Sequence, residues 1–289
     1  MPKAAKLNSS IYSRAILVDV DCSTWSFHTG EVDNTEDVIL RNKAERGAFS
    51  GKKALVPSDE IQAFRLTVGH IRTFIKKHTL PWSDSGYRML PLTSYQSFRK
   101  TLVELIGEFD AAADDFCNRL PMIKKRCKES FLGKMYDDAD YPDATAIRNR
   151  FKIKVKWANI PDTDLRIKMA DDEAKELRQD LEKTAACIQS VALKDLFNRM
   201  LEPIKKLGEK LTEEADPANI RANTIESIAK MVEISKELNI FDSEAVTKLC
   251  SEMEKLSSIS AQDLRDSVDD RKETRAKVEA IMKKFDGII

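Results

Sequence analysis

Catalytic signatures are absent from this sequence, and the residues that usually build them are few. Its 289 residues include nine glycines, nine prolines, five cysteines and three histidines. Gly51-Lys52-Lys53 does not form a phosphate-binding loop, because the first glycine, the spacing and the Ser/Thr of a Walker motif are all missing. There is also no serine elbow and no Cys/His pair within a supporting motif. We therefore predict that the protein is not an enzyme, with no catalytic residues and no cofactor.

Disulfide frameworks and metal sites are not indicated either. The cysteines are odd in number and scattered, and no histidine makes a ligand pair with a nearby cysteine. Short acidic runs are commonplace at helix ends and on solvated faces, so we interpret those of this chain as structural. The sequence predicts reduced, mostly packed thiols and no metal site. The residues concerned are Cys22, Cys117, Cys127, Cys187, Cys250, His28, His70, His78 and the acidic groups at 114–115, 137–140 and 171–173.

Long apolar runs are missing as well. No stretch approaches the roughly 20 apolar residues that a bilayer-spanning helix requires. Residues 1–10 lack the apolar core of a secretory signal. We expect no membrane partner and a cytoplasmic location.

An excess of one charge sign is absent overall but present locally. The chain has 48 basic and 48 acidic residues, yet residues 1–160 hold 26 basic and 20 acidic ones, which leaves 22 and 28 for residues 161–289. Such an asymmetry favours an anionic partner for the first part, although ordinary variation between domains produces it about as often. We predict an α+β domain with a basic bias over 1–160 and a helical hairpin or bundle with an acidic bias over 161–289.

One segment has clear strand character. Over residues 150–157 apolar and basic side chains alternate, which is typical of a strand with one dry face and one basic face. The comparable stretch is 15–22, and Trp25 and Phe27 continue its alternation. Because a strand backbone needs hydrogen-bonding partners, we predict that residues 16–27 and 151–157 form a small antiparallel sheet. Residues 38–40 are a candidate short strand.

Helices make up most of the remaining prediction, so the expected fold class is α+β and predominantly α-helical. Apolar residues recur at steps of three or four over 58–79 and, after a connector at 80–91, over 92–136. Pro121 predicts either a kink in the second tract or two helices end to end. Further helices are predicted at 164–215, 217–238, 242–256 and 260–285.

The helix at 164–215 begins with heptad spacing that favours association. A heptad stripe of this length needs something to cover it, so we predict a homo-oligomer or a helical partner. Its phase shifts near Leu193, for which Pro203 offers a local cause. The stripe consists of Leu177, Leu181, Thr184, Ile188 and Val191.

Two basic clusters are candidates for binding nucleic acid. A row of cations along a phosphate backbone is favoured by counterion release, but lysine is also the usual protection of an exposed strand edge. The first cluster, the basic strand face, comprises Arg148, Arg150, Lys152, Lys154 and Lys156. The second, the basic helix cluster, comprises Lys124, Lys125 and Arg126. Because consecutive residues fan around a helix, only part of the second cluster can face one ligand.

The order of several short motifs resembles that of a known family. Trp25-Ser26 follows the first strand, Gly51-Lys52-Lys53-Ala54-Leu55-Val56 precedes a helix, Arg88-Met89-Leu90-Pro91 precedes the long helix, and Arg150-Phe151 opens a strand. In this order they resemble the bacterial and phage family known as domain of unknown function 3150, over residues 15–215. Phe27-His28 departs from the family pattern, in which a Gly-Arg-Lys-like continuation follows the Trp-Ser pair.

The resemblance implies an accessory role. Members of that family look like cargo of phages and mobile elements, and MoxR-like or cobaltochelatase-like AAA+ ATPases and von Willebrand A proteins often accompany them. We expect a non-enzymatic adaptor that acts through a protein partner, with a MoxR-like AAA+ ATPase as the partner and the host cytoplasm as the location if a phage encodes it. Two alternatives stay open: a DNA-binding recombination or replication accessory protein, and a structural component of a phage particle or ring assembly.

Overall fold

The fold, taken from a computed structural model, is described for residues 11–31, 33–45, 47–82, 86–160 and 171–285. These residues form mostly helices with two small antiparallel sheets, which confirms the predicted class. The helices are α1 Ile11–Arg14, α2 Asp33–Arg41, α3 Gln62–His78, α4 Tyr95–Arg126, α5 Ala144–Arg148, α6 Asp171–Lys210, α7 Ala222–Leu238, α8 Glu244–Ser257, α9 Ala261–Asp266 and α10 Val268–Phe285. The strands are β1 Ala15–Ser23, β2 His28–Glu31, β3 Gly51–Ala54, β4 Leu80–Pro81, β5 Arg88–Pro91 and β6 Lys152–Ala158.

The larger sheet has the strand order β4-β5-β1-β6. β1 and β6 are neighbours, as the sequence predicts. The other neighbour of β1 is β5, and their antiparallel register places Ala15 opposite Pro91 and Val18 opposite Arg88. β4 and β5 lie in the segment predicted as a connector, because strands of two and four residues are too short to show an alternating pattern.

Two predicted strand positions are wrong. β1 ends at Ser23 and β2 begins at His28, so residues 16–27 are not one strand. Residues 38–40 lie in α2, where Ile39 is buried and Leu40 is 74% exposed. A run of three apolar residues does not distinguish a short strand from a short helix that buries one side chain, and here the helix forms.

The longer helices follow the predicted pattern with shifted ends. α4 runs through Pro121 as one helix and passes into a π-helical turn, Cys127–Phe131, so the interpretation as two helices end to end is excluded. α3 begins at Gln62 and not at residue 58. The tract at 260–285 is divided at Ser267, whose extended backbone ends α9. Residues 161–170, predicted to contain the start of the helix that forms α6, lie outside the described residues.

Contacts divide the chain into two units that are interleaved in sequence, unlike the consecutive division expected at residue 160. Unit 1 comprises Met1–Asp19, Ile75–Phe98 and Lys156–Ile289, and unit 2 comprises Val20–Phe74 and Arg99–Val155. Counted over these ranges of the sequence, unit 1 has 29 basic and 30 acidic residues and unit 2 has 19 and 18. The basic bias of residues 1–160 and the acidic bias of residues 161–289 are therefore not found in the two units, each of which has nearly equal numbers of basic and acidic residues.

Unit 2 has a core of aromatic side chains. The rings of Phe64 and Phe151 stack with 4.5 Å between their centroids, and Phe27 and Phe116 contact both. Trp25 is 3% exposed and contacts Phe116 at 6.3 Å. Aromatic pairs of this kind contribute beyond their buried area, so ring packing holds Trp25 and Phe27 in place after the end of β1.

Unit 1 has an aliphatic core in which the later turns of α6 are central. α10 runs antiparallel to α6, since Phe285 stacks on Phe197 at 6.3 Å while Val278 meets Gly208. Arg199 of α6 donates hydrogen bonds to the carbonyl oxygens of Lys76 and Lys77, at 2.6 and 3.2 Å. These carbonyls have no helical partners at the C-terminal end of α3, so the guanidinium both satisfies them and complements the helix dipole.

The contact between Gly208 and Val278 gives a test of this packing. A Cβ at position 208 would lie 2.9 Å from Cγ1 of Val278, a buried and branched side chain that cannot swing away. We expect Gly208→Ala to lower the free energy of unfolding by about 1–3 kcal/mol, measured by chemical denaturation. Gly107→Ala is the matched control, because a Cβ there meets nothing within 4 Å in α4 and alanine favours a helix by roughly 0.5–1 kcal/mol. A Gly208→Ala variant as stable as the wild type would contradict the close packing of α6 and α10.

Candidate nucleic-acid interface

β6 has the alternation that the sequence predicts. Lys152, Lys154 and Lys156 are exposed, whereas Ile153 and Val155 on the other face are half-buried. The strand is the last in the order of the larger sheet, so it is an edge strand among the described residues. A lysine row on such a strand suits both explanations, contact with phosphates and protection of a sheet edge.

Two members of the basic strand face are bound to acidic side chains of the same chain. Nε of Arg148 lies 2.6 Å from Oδ1 of Asp114, and Nη2 lies 3.0 Å from Oδ1 of Asp110. The hydrogen bond that Arg148 donates to the Asp114 carboxylate raises the pKa of its guanidinium. Nζ of Lys156 lies 3.0 Å from Oδ2 of Asp19. A phosphate at either position would have to compete with a carboxylate already in place.

The basic helix cluster is neutralised in the same way. Nη1 of Arg126 lies 2.6 Å from Oδ2 of Asp59 and 2.8 Å from Oε1 of Glu60, and this pairing lowers the pKa of the Asp59 carboxyl. Nζ of Lys124 lies 2.6 Å from Oδ1 of Asp138.

Lys125 is the most exposed member of that cluster. Its Nζ is 3.9 Å from Oε1 of Glu129, one turn further along the chain, and its side chain is 75% exposed. The structure does not bring the cluster beside Arg148. Asp114, which holds Arg148, and Lys124 are ten residues apart on α4, or about 15 Å along the helix.

Three of the eight predicted cations remain for an anionic ligand. Within the described ranges, no ion pair involves Arg150, Lys152 or Lys154, and all three side chains are exposed. They are consecutive members of the basic strand face. The candidate interface is therefore a short row of three cations.

The acidic partners are the functional residues that the sequence analysis misses. Asp59 and Glu60 lie at the start of the helix predicted over 58–79, and nothing in the local sequence connects them with Arg126, which is 66 or more residues away. Arg148 lies 34 residues from Asp114 and Lys156 lies 137 residues from Asp19. Charge pairing over such separations leaves no periodic signal in one sequence.

The described residues also bear on metal binding, membrane insertion and the burial of the thiols. Within the described residues, no three His, Cys, Asp or Glu side chains form a group that could hold a metal ion. None of the described helices combines the length and the apolar character needed to cross a bilayer. Burial raises the pKa of the thiols of Cys127 and Cys250, which are packed as the sequence predicts.

Comparison of the whole chain with protein-family models, with curated proteins and with solved structures gives no match. The resemblance to the domain of unknown function 3150 family therefore stays a prediction from the motif order.

Substitution of Arg148 and of Arg150 distinguishes an arginine that is held by ion pairs from one that has none among the described residues. We expect Arg148→Met to lower the free energy of unfolding by about 1 kcal/mol, because two partly exposed ion pairs are lost. Arg150→Met is the control and should leave it within about 0.5 kcal/mol of the wild type, as is usual for a surface substitution. Denaturant titration of both variants measures the difference, and equal stabilities would show that the Arg148 ion pairs contribute nothing in solution.

Proposed function

We propose that this protein is a non-enzymatic accessory or adaptor protein of the phage or mobile-element type that acts by binding other proteins. The observation that carries the proposal is that only the later part of α6 belongs to a hydrophobic core. From Ala192 onwards the helix supplies seven residues of the hydrophobic core of unit 1, and Ile188 packs against that core from its edge. None of the described residues of α6 before Ile188 belongs to this core.

The first part of α6, residues 171–187, is called here the α6 segment. Leu177 and Leu181 are partly exposed on one side of it, since residues four apart share a helix face. Ile188 and Val191 continue the stripe, and Val191 is 51% exposed. An apolar stripe on a helix that extends beyond its own core is the type of surface that a helical or grooved partner covers.

A MoxR-like AAA+ ATPase is the partner that the motif resemblance suggests, and the α6 segment gives it a defined test. We expect the wild-type protein to bind a MoxR-like AAA+ ATPase from the same genome in surface plasmon resonance. Leu177→Asp combined with Leu181→Asp should weaken binding at least about tenfold, because two apolar contacts worth more than 1 kcal/mol each are lost. Leu66→Asp with Val103→Asp makes the same change at exposed positions of other helices and should have no effect. Equal binding by both double variants would exclude the α6 segment as the contact.

A DNA-binding recombination or replication accessory protein is the second candidate, and the unpaired row Arg150, Lys152 and Lys154 favours it. The number of available cations limits how steeply binding can depend on salt. Three phosphate contacts predict a loss of affinity of about 40-fold between 50 and 200 mM salt, whereas eight contacts would predict about 20,000-fold. Fluorescence anisotropy with labelled single- and double-stranded DNA measures this slope.

The DNA measurement has a matched control in two lysines of α4. Lys152→Glu with Lys154→Glu should abolish binding, while Lys124→Glu with Lys125→Glu should leave it nearly unchanged. Absence of binding at 50 mM salt would leave the lysine row as protection of the sheet edge. The third candidate, a component of a particle or ring, requires contacts between copies of the chain.

A further inference from the structure

A groove between α8 and α10 has an apolar floor and a basic rim. It encloses about 630 Å³. Leu256 and Ile281, which are 1% and 5% exposed, form the floor together with Ile259, and Ala280 leaves one wall open because its side chain is small. Polar groups lie at the rim and not on the floor, so the groove suits a ligand with an apolar centre and charged flanks.

The rim is positively charged. Lys255 of α8 and Lys277 and Lys284 of α10 line it, and their side chains are 71%, 50% and 55% exposed. Glu252 is the acidic residue of the lining and is contacted from both helices, by Lys255 at 3.2 Å and by Lys284 at 3.3 Å. Lys277 is paired with Glu273, one turn earlier on α10, at 2.7 Å. Three lysines against two carboxylates leave a net charge of +1 at the rim, which attracts acidic side chains.

The α6 segment has the complementary character. Residues 171–182 include six acidic and two basic residues in the sequence. Leu177 and Leu181 form its apolar stripe, and Asp180 and Glu182 beside them are exposed. The groove wall from Lys277 to Lys284 extends about 10 Å, or two helical turns. The helix surface from Leu177 through Leu181 to Thr184 has the same length, because it also spans seven residue steps.

The groove and the α6 segment of one chain cannot meet. α10 packs along the later turns of α6, where Phe285 stacks on Phe197 and Val278 meets Gly208. Leu181 lies sixteen residues before Phe197 on the same continuous helix, or about 24 Å away. A helix without a break cannot fold back by that distance, so only another molecule can supply a helix to this groove.

We infer that the α8–α10 groove binds the α6 segment of a second copy of this chain. The inference rests on the proposed function in one respect, because both use the α6 segment as a protein-binding surface. The contact joins different surfaces of the two copies, so one copy keeps a free α6 segment and the other keeps a free groove. Repetition of such a contact builds a ring if the rotation closes and a filament if it does not.

Self-association of the full chain is the primary test, by sedimentation velocity across a wide concentration range. The wild type is expected to form oligomers. A triple variant with Lys255→Glu, Lys277→Glu and Lys284→Glu should raise the dissociation constant for self-association about tenfold or more. The reason is that the three charge pairs between the groove and the acidic segment of the second copy become repulsive. Lys230→Glu, Lys248→Glu and Lys272→Glu make the same charge change at exposed lysines outside the groove lining and should leave it unchanged. Ala280→Trp fills the groove without changing charge and should also weaken association.

Mixing two variants distinguishes this contact from pairing of two α6 helices. The triple-glutamate groove variant and the Leu177→Asp, Leu181→Asp variant should each be monomeric alone, and together they should form a 1:1 dimer through the one intact groove and the one intact segment. A groove variant that still dimerises alone would overturn the inference in favour of paired α6 helices. A wild type that stays monomeric would overturn it as well, while binding of the ATPase, measured separately, would still support the adaptor function.

Discussion

The central position of β1 is the constraint on which the larger sheet depends. A strand backbone has hydrogen-bonding groups on both sides, and β1 satisfies them with β5 on one side and β6 on the other. Neither partner is close in sequence, since Asp19 of β1 contacts Lys156 of β6 across 137 residues. Because the entropic cost of closing a loop grows only slowly with its length, the long separation adds little to the cost of pairing these strands once the intervening helices pack.

Charge neutralisation within the chain is the second organising feature. The predicted basic residues are mostly held by carboxylates: Arg148 by Asp110 and Asp114, and Arg126 by Asp59 and Glu60. These contacts connect α4 with the turn before α3 and with α5, so the same guanidinium groups that looked available to a ligand hold parts of the fold together. The surface that remains for nucleic acid is short, and this favours protein contacts as the mode of action.

α6 links the fold to that mode of action. Its later turns form the centre of the unit 1 core, with Arg199 capping α3 and Gly208 allowing α10 to approach closely. None of the described residues in its first turns belongs to that core, and these turns combine an acidic sequence with a leucine stripe. One helix therefore both organises a core and carries the surface that we propose for protein binding, and the groove between α8 and α10 is the surface that we infer to receive it.

The sequence by itself determined the helical class, the alternating faces of β6, the pairing of β6 with β1, and the heptad stripe on α6, because each depends on a periodic pattern of side chains. It did not determine β4 and β5, which are too short for a pattern, or the helical state of residues 38–40. Only the tertiary structure decided which cations are free and that the units are interleaved along the chain. Ion pairs such as that of Arg126 with Glu60, and ring stacking such as that of Phe64 on Phe151, join residues far apart in sequence, and their partners are fixed by folding alone.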